Sequence, residues 1–190
     1  HIWDCDKETG VWKKTSRLQS SVPPEILFIE RCTQFLAPGG RMGIVLPDSI
    51  LGSPGLGYIR EWMIQNHRIV ASIDLNADTF QPRNGTQTSV LILQKKTQEQ
   101  RDAEEKSGKM ADYNIFMAMV EKVGHDKRGN PLFKRDKEGN EILVPDTNSV
   151  LVLGETGEGQ RTVSHEQKVK VKDDQTPDVP AIFAEWKRQE

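Results

Sequence analysis

The side chains able to do acid–base or nucleophilic work are scattered along this sequence. The four histidines, His1, His67, His125 and His165, fall in unrelated segments, none beside a nucleophile or a paired carboxylate, so general acid–base catalysis by any of them has no support. No serine stands in a Gly-x-Ser-x-Gly elbow, since Asp48-Ser49-Ile50 and Gly52-Ser53-Pro54 both lack the flanking glycines. Gly39-Gly40-Arg41-Met42-Gly43 comes before a strand, whereas a phosphate cradle must follow a strand and open a helix. It reads as a helix cap. Cys5 and Cys32 have no metal-ligand spacing and form no disulfide framework, which points to a reducing cytosol and no metal site. Asp126-Lys127-Arg128-Gly129-Asn130 and Asp136-Lys137-Glu138-Gly139-Asn140 repeat at an offset of ten residues. Asp bonds its own backbone and Gly accepts positive φ, so each copy reads as a hairpin turn; the oxygen ligands of a calcium loop do not recur at alternate positions.

The elements that must position such residues divide the chain by charge. Ile26–Leu93, 68 residues, hold 10 charges and no lysine, while residues 94–190 hold 36, 17 positive and 19 negative. Only the first stretch has the apolar density to offset the entropy cost of folding. A helix is predicted from Pro23-Pro24 to Ala37, ended by Pro38-Gly39-Gly40. Short apolar runs at 41–46, 69–75 and 89–94 read as strands, the first two covered on both faces. Between them lie a loop over 48–57, a helix over 58–66 with Ile59, Trp62 and Met63 on one face, and a loop over 76–88 carrying Phe80. This order is that of an α/β layered domain.

The expected domains are an irregular entry segment at 1–22, an α/β unit at 23–96, a charged linker or exposed helix at 97–112, a β-meander at 113–146 and a tail at 147–190. The meander strands are expected near 114–123, 131–135 and 141–145. The tail ends in a helix with Ile182, Phe183 and Trp186 on one face, for packing or for a partner. A formal charge of -2 excludes a purely electrostatic DNA clamp. No apolar run approaches the roughly 20 residues of a membrane span, and no signal peptide stands at the start. A soluble, cytoplasmic protein is expected.

The ordered run Phe28-Ile29-Glu30-Arg31, Leu36-Ala37-Pro38-Gly39-Gly40-Arg41, Ile44-Val45-Leu46-Pro47, Ile73-Asp74-Leu75, Thr79-Phe80-Gln81-Pro82 and Thr88-Ser89-Val90-Leu91-Ile92-Leu93-Gln94-Lys95 resembles the later half of an N6-adenine DNA methyltransferase. Pro23-Pro24-Glu25-Ile26-Leu27-Phe28-Ile29-Glu30-Arg31 resembles, more closely, the modification (M) subunit of type I restriction–modification systems. The turn at 124–129 and the helix start at 178–182 are similar to features of the same subunits.

The resemblance implies S-adenosylmethionine as cofactor and a flipped adenine in double-stranded DNA, whose exocyclic nitrogen attacks the methyl sulfonium. It implies specificity and restriction subunits as partners. It also implies the C-terminal half of a class I (Rossmann-like) sheet, its final strand antiparallel and inserted between the other two. Phe80 matches the aromatic that packs on the target base, against the alternative of a loop plug. Phe28 matches the helix residue that contacts the cofactor's adenine, against ordinary helix core. Pro47 and Asp48 lie at the strand edge where open α/β folds bind ligands. Arg41 and Arg83 are candidates for phosphate.

The family's glycine turn for the cofactor and its Asn-Pro-Pro-aromatic motif are absent from these residues. No catalytic residue is therefore assigned, and the chain is expected to be inactive alone. Strand 41–46 is expected to present a bare edge, with self-association as the consequence. The alternatives are an RNA or protein methyltransferase of the same fold, or a non-catalytic subunit-interaction module.

Overall fold

The computed structural model describes residues 1–153 and 160–189. Residues 154–159 and 190 of the expected tail, and the side chain of His165, lie outside the described part.

The chain opens with two short antiparallel strands, β1 (Trp3–Cys5) and β2 (Trp12–Lys14). Their turn is set by Asp6, whose Oδ1 accepts the N–H groups of Glu8 and Thr9, and by Gly10 at φ 69°. The entry segment is thus not irregular: Trp3 and Trp12 both lie against the Tyr58 ring, at 6.4 and 5.8 Å. Trp3 and Trp12 stand apart from the apolar stretch that begins at Ile26 and carry no period in sequence, so only their contact with Tyr58 gives them a place in the fold.

Helix α1 (Pro24–Phe35) starts on Pro at its first position and buries Ile26, Ile29 and Thr33. Its last carbonyls are satisfied from across the fold: Lys95 Nζ donates to Thr33 O at 2.9 Å and to Leu36 O at 2.7 Å. That cation also complements the helix dipole. Gly39, at φ 77°, and Gly40 then turn the chain into strand β3 (Arg41–Pro47).

The loop expected over 48–57 contains helix α2 (Asp48–Gly52) and a turn of 3-10 helix at Pro54–Leu56. Ile50, buried in the core, outweighs the glycines and prolines around it. Arg60 Nη1 caps this turn by donating to Ile50 O and Ser53 O. Helix α3 (Gly57–Asn66), strand β4 (His67–Asp74) and strand β5 (Thr88–Lys95) follow. The exposed helix expected in 97–112 is α4 (Gln98–Ser107), opened by a Thr97/Gln100 capping box. Buried Lys96 ties it down through Glu104, at 2.6 Å.

The sheet order is β3-β5-β4-β6, where β6 is Phe116–Met119. Strand β5 is antiparallel to both neighbours, with Ile44↔Leu91 and Ile73↔Val90 in register, so the last of the three expected strands does lie between the other two. Strand β6 runs parallel to β4, with Ala71↔Phe116 and Asp74↔Met119. The main core joins Ile26 and Ile29 of α1, Leu46 of β3, Ile50 of α2, Ile59 and Met63 of α3, and Leu91 and Leu93 of β5. Each fully buried aliphatic contributes about 1.5–3 kcal/mol.

The β-meander expected over 113–146 forms differently. Phe116–Met119 belongs to the main sheet, because its outer neighbour is the open side of β4. Both Asp-x-x-Gly-Asn turns close hairpins, with bridges His125↔Pro131 and Arg135↔Glu141. These hairpins pair with residues near 172, not only with each other. Gly124 N–H donates to Asp173 O, Asp173 N–H to Leu132 O, and Leu132 N–H back to Gly124 O, at 3.0, 2.9 and 2.9 Å. A second closed triangle runs Lys134 to Val171, Val171 to Ile142, and Ile142 to Lys134.

Between Ile142 and Val171 the expected tail holds a long antiparallel ribbon, β7 (Leu143–Leu153) with β8 (Gln160–Lys170). A two-stranded ribbon has no sheet face to bury, so polar residues along β8 masked the strand pattern. Helix α5 (Val179–Gln189) ends the described chain and packs Phe183 and Trp186 on Phe116, at 5.2 and 5.5 Å. Of its two expected uses, packing is the observed one.

Candidate functional site

The parallel strands β3, β4 and β6 all point one way, so their carboxyl ends, with the start of β5 beside them, form one edge of the sheet. Ligands of open α/β folds bind outside such an edge. Asp48 stands there just beyond β3, accepting a hydrogen bond from Ser89 Oγ at 2.8 Å. Asp74 ends β4 and accepts from Gln87 Nε2 at 3.0 Å. The same Gln87 reaches Leu75 O, while its own carbonyl accepts Asp48 N–H at 3.0 Å. Gln87 therefore staples the ends of β3 and β4 together, a role no pattern in sequence announces. Between them Thr88 Oγ1 is buried without a hydrogen-bond partner among the described residues.

From this edge rises the loop 76–87. Asn76 anchors its foot: Oδ1 accepts Asp78 N–H at 2.8 Å, and Nδ2 donates to Glu121 O at 2.6 Å. Thr79 Oγ1 and N–H both donate to Asn76 O, Gln81 N–H donates to Asp78 O, and Asn84 N–H to Phe80 O. Phe80 rides on this hydrogen-bonded frame with 42% of its surface exposed.

Phe28, on α1, is 62% exposed. It borders a shallow apolar cleft with Pro24, Cys32, Ile44, Val45 and Leu46, and Glu25 at the rim. The adjacent β3 is the edge strand of the sheet, with no neighbour on its outer side among the described residues. Leu27, Phe35 and Val45 are also exposed, at 50, 80 and 48%. The expected bare edge is present. Phe28 stands on the helix beside β3 and Phe80 on the loop beyond β4.

The lining of this cleft is apolar but for the Glu25 carboxylate. Arg41 begins β3 at the opposite end from Phe80, away from the carboxyl edge. Arg83 is exposed on the Phe80 loop itself.

His67, which the sequence left as one of four unrelated histidines, is fully buried. Its Nδ1 lies 3.1 Å from Met63 O and its Nε2 3.1 Å from Thr33 Oγ1. A carbonyl only accepts, so Nδ1 donates to Met63 O; Thr33 Oγ1, which also donates to Ile29 O at 2.8 Å, is the partner of Nε2. Burial lowers the pKa of this ring, the Lys95 and Lys96 ammonium groups add to that, and the Met63 carbonyl opposes it. His67 fastens α1 to α3 and lies outside the candidate site. Among the described residues no helix is long and apolar enough to cross a membrane.

Comparison with known proteins bears on this geometry. A solved structure from Listeria monocytogenes, described as a class I S-adenosylmethionine-dependent methyltransferase, is 22% identical with a TM-score of 0.39, over 50% of this chain and 26% of that one. The present chain thus covers about a quarter of that protein. No curated protein matches. The family model for N-6 DNA methylases matches residues 3–141, that is 139 of the 190 residues. That span takes in the docked N-terminal hairpin, the four-stranded sheet, the Phe80 loop and both Asp-x-x-Gly-Asn turns, and the chain belongs to the N-6 DNA methylase family.

Proposed function

We propose that these residues form the part of an S-adenosylmethionine-dependent methyltransferase that holds the target base and the cofactor's adenine, acting on N6 of adenine in double-stranded DNA. The observation that carries this reading is Phe80, exposed on a hydrogen-bonded loop at the carboxyl edge of the sheet. An adenine taken out of the stack needs an apolar surface on which to rest. In this reading Phe80 supplies one such surface, and Phe28 with Val45 contacts the adenine of the cofactor. The glycine turn and the Asn-Pro-Pro-aromatic motif belong to a segment outside these 190 residues, which pairs with the open edge of β3. The parent enzyme is the modification subunit of a type I system in the cytoplasm, working with specificity and restriction subunits.

Calorimetric titration of the chain with S-adenosylmethionine tests the division of labour. The expected result is no saturable heat from the folded chain alone, with binding restored when a segment carrying the glycine turn is supplied. Saturable micromolar binding by the chain alone refutes the division. Sedimentation provides the companion measurement: the bare β3 edge and the exposed Phe28, Phe35 and Val45 should drive self-association, which the complementing segment should abolish. A monodisperse monomer would count against the open edge.

A further inference from the structure

The two Asp-x-x-Gly-Asn turns share one backbone and differ in what they carry. In the first, Asp126 Oδ1 accepts the N–H groups of Arg128 and Asn130 at 2.8 and 2.9 Å, and Oδ2 accepts from Asn130 Nδ2 at 2.9 Å. In the second, Asp136 accepts from Asn140 N and Nδ2 at 2.8 and 3.3 Å. Gly129 and Gly139 hold φ of 84° and 91°. Hydrogen bonds from Asn130 and Asn140 keep both Asp carboxyls below their ordinary pKa. With the frame constant, the third position changes sign, from Arg128 to Glu138.

Their surroundings differ in the same sense. A methyl group on Gly129 would stand 3.3 Å from Pro82 Cδ, whereas one on Gly139 would meet nothing within 4 Å. The first turn therefore rests on the loop that carries Phe80, and the second stands clear. The basic copy is the one at the candidate site. Pro82 is followed by Arg83, so three cations, Arg83, Lys127 and Arg128, gather on two touching loops. All three are exposed, and among the described residues none of them forms a salt bridge. The Asp126 carboxylate, nearest in sequence, already accepts three N–H groups of its own turn.

We propose that Arg83, Lys127 and Arg128 form a phosphate clamp that grips the DNA backbone flanking the base presented to Phe80. This rests on the DNA-methylating reading above. Cations on a turn locked by its own hydrogen bonds lose little backbone entropy on binding. Such contacts position a duplex without reading its sequence. The second turn, with Glu138 in place of the arginine, is excluded from the clamp.

The test is fluorescence anisotropy of a labelled 20-base-pair duplex titrated with the 190-residue chain, repeated between about 50 and 200 mM salt. Each phosphate contact adds about 0.9 to the slope of log affinity against log salt, so Lys127→Ala/Arg128→Ala should flatten it by about 1.8. Arg83→Ala should flatten it by about 0.9. Lys137→Ala, on the free turn, should leave it unchanged. An unaltered slope in the double variant, or an equal loss in Lys137→Ala, overturns the clamp while the DNA reading stands. Absence of binding by the wild-type chain at the lowest salt overturns the DNA reading, and the clamp with it. The substituted side chains are exposed, and matching circular dichroism spectra separate lost contacts from lost fold.

Discussion

His67 lies wholly buried between α1 and α3, and acidification should cost the fold stability through its ring. The folded-state pKa is depressed by burial first, with the Lys95 and Lys96 cations adding to it. The unfolded chain titrates near the ordinary value of about 6.5. Above that pH neither state binds the proton, and His67 contributes no pH dependence. As the pH falls through about 6.5 the unfolded state takes up the proton first, so stability drops with a limiting slope of about 1.4 kcal/mol per pH unit. The loss continues until the folded-state pKa is reached. At about pH 5.5 the unfolded imidazole is roughly nine-tenths protonated, which sets a ceiling of about 1.4 kcal/mol on this one group. Urea unfolding of the wild type and of His67→Gln at about pH 7.5 and 5.5 isolates the effect as a difference of differences. His67→Gln is the less stable protein at neutral pH, because it loses packing, and it should lose less on acidification. Parallel losses in the two proteins would show that His67 accepts its proton in place, and the reading of a ring held neutral by burial would be wrong.

Three other perturbations follow from named contacts. Gly57→Ala places a methyl 2.6 Å from Trp12 Nε1; it should lift the N-terminal hairpin from Tyr58, red-shift tryptophan emission and cost about 1–3 kcal/mol in a thermal melt. Glu104→Ala strands the Lys96 ammonium, whose side chain is 4% exposed, and should cost about 3 kcal/mol in urea unfolding, with Lys96→Met/Glu104→Leu recovering most of it. Phe80→Ala removes an exposed ring and should change stability by no more than about 0.5 kcal/mol. In the complemented enzyme the same change should suppress the 2-aminopurine fluorescence that reports a flipped base; an unchanged signal would remove Phe80 from the site.

The sheet was legible because the runs at 41–46, 69–75 and 89–94 are apolar and hold no lysine. Arg41–Pro47, His67–Asp74 and Thr88–Lys95 announce themselves by composition, and the family resemblance orders them. Phe80 and Phe28 were legible by position, and both are exposed. What stayed hidden depends on partners distant in the chain. Trp3 and Trp12 acquire meaning only from Tyr58, Phe116 only from β4 and α5, and Ile50 only from the core that holds α2 in a Gly- and Pro-rich stretch. Gln87 organises the carboxyl edge through three hydrogen bonds, yet glutamine in a loop carries no spacing to read.

The two closed triangles of main-chain bonds, through Gly124, Leu132 and Asp173 and through Lys134, Ile142 and Val171, make residues 143–170 an insertion with clamped feet. Ile142 and Val171 are bonded to each other, so the ribbon begins and ends at one point. Its length then enters the folding free energy only through loop closure, which grows by about 0.6 kcal/mol for each doubling. Shortening, lengthening or replacing the ribbon leaves the base intact, so evolution, or an engineer, is free to graft a different arm there. Cutting the chain inside the arm spares the closed base, whereas removing 132–134 or 171–173, each of which serves both triangles, opens the two at once.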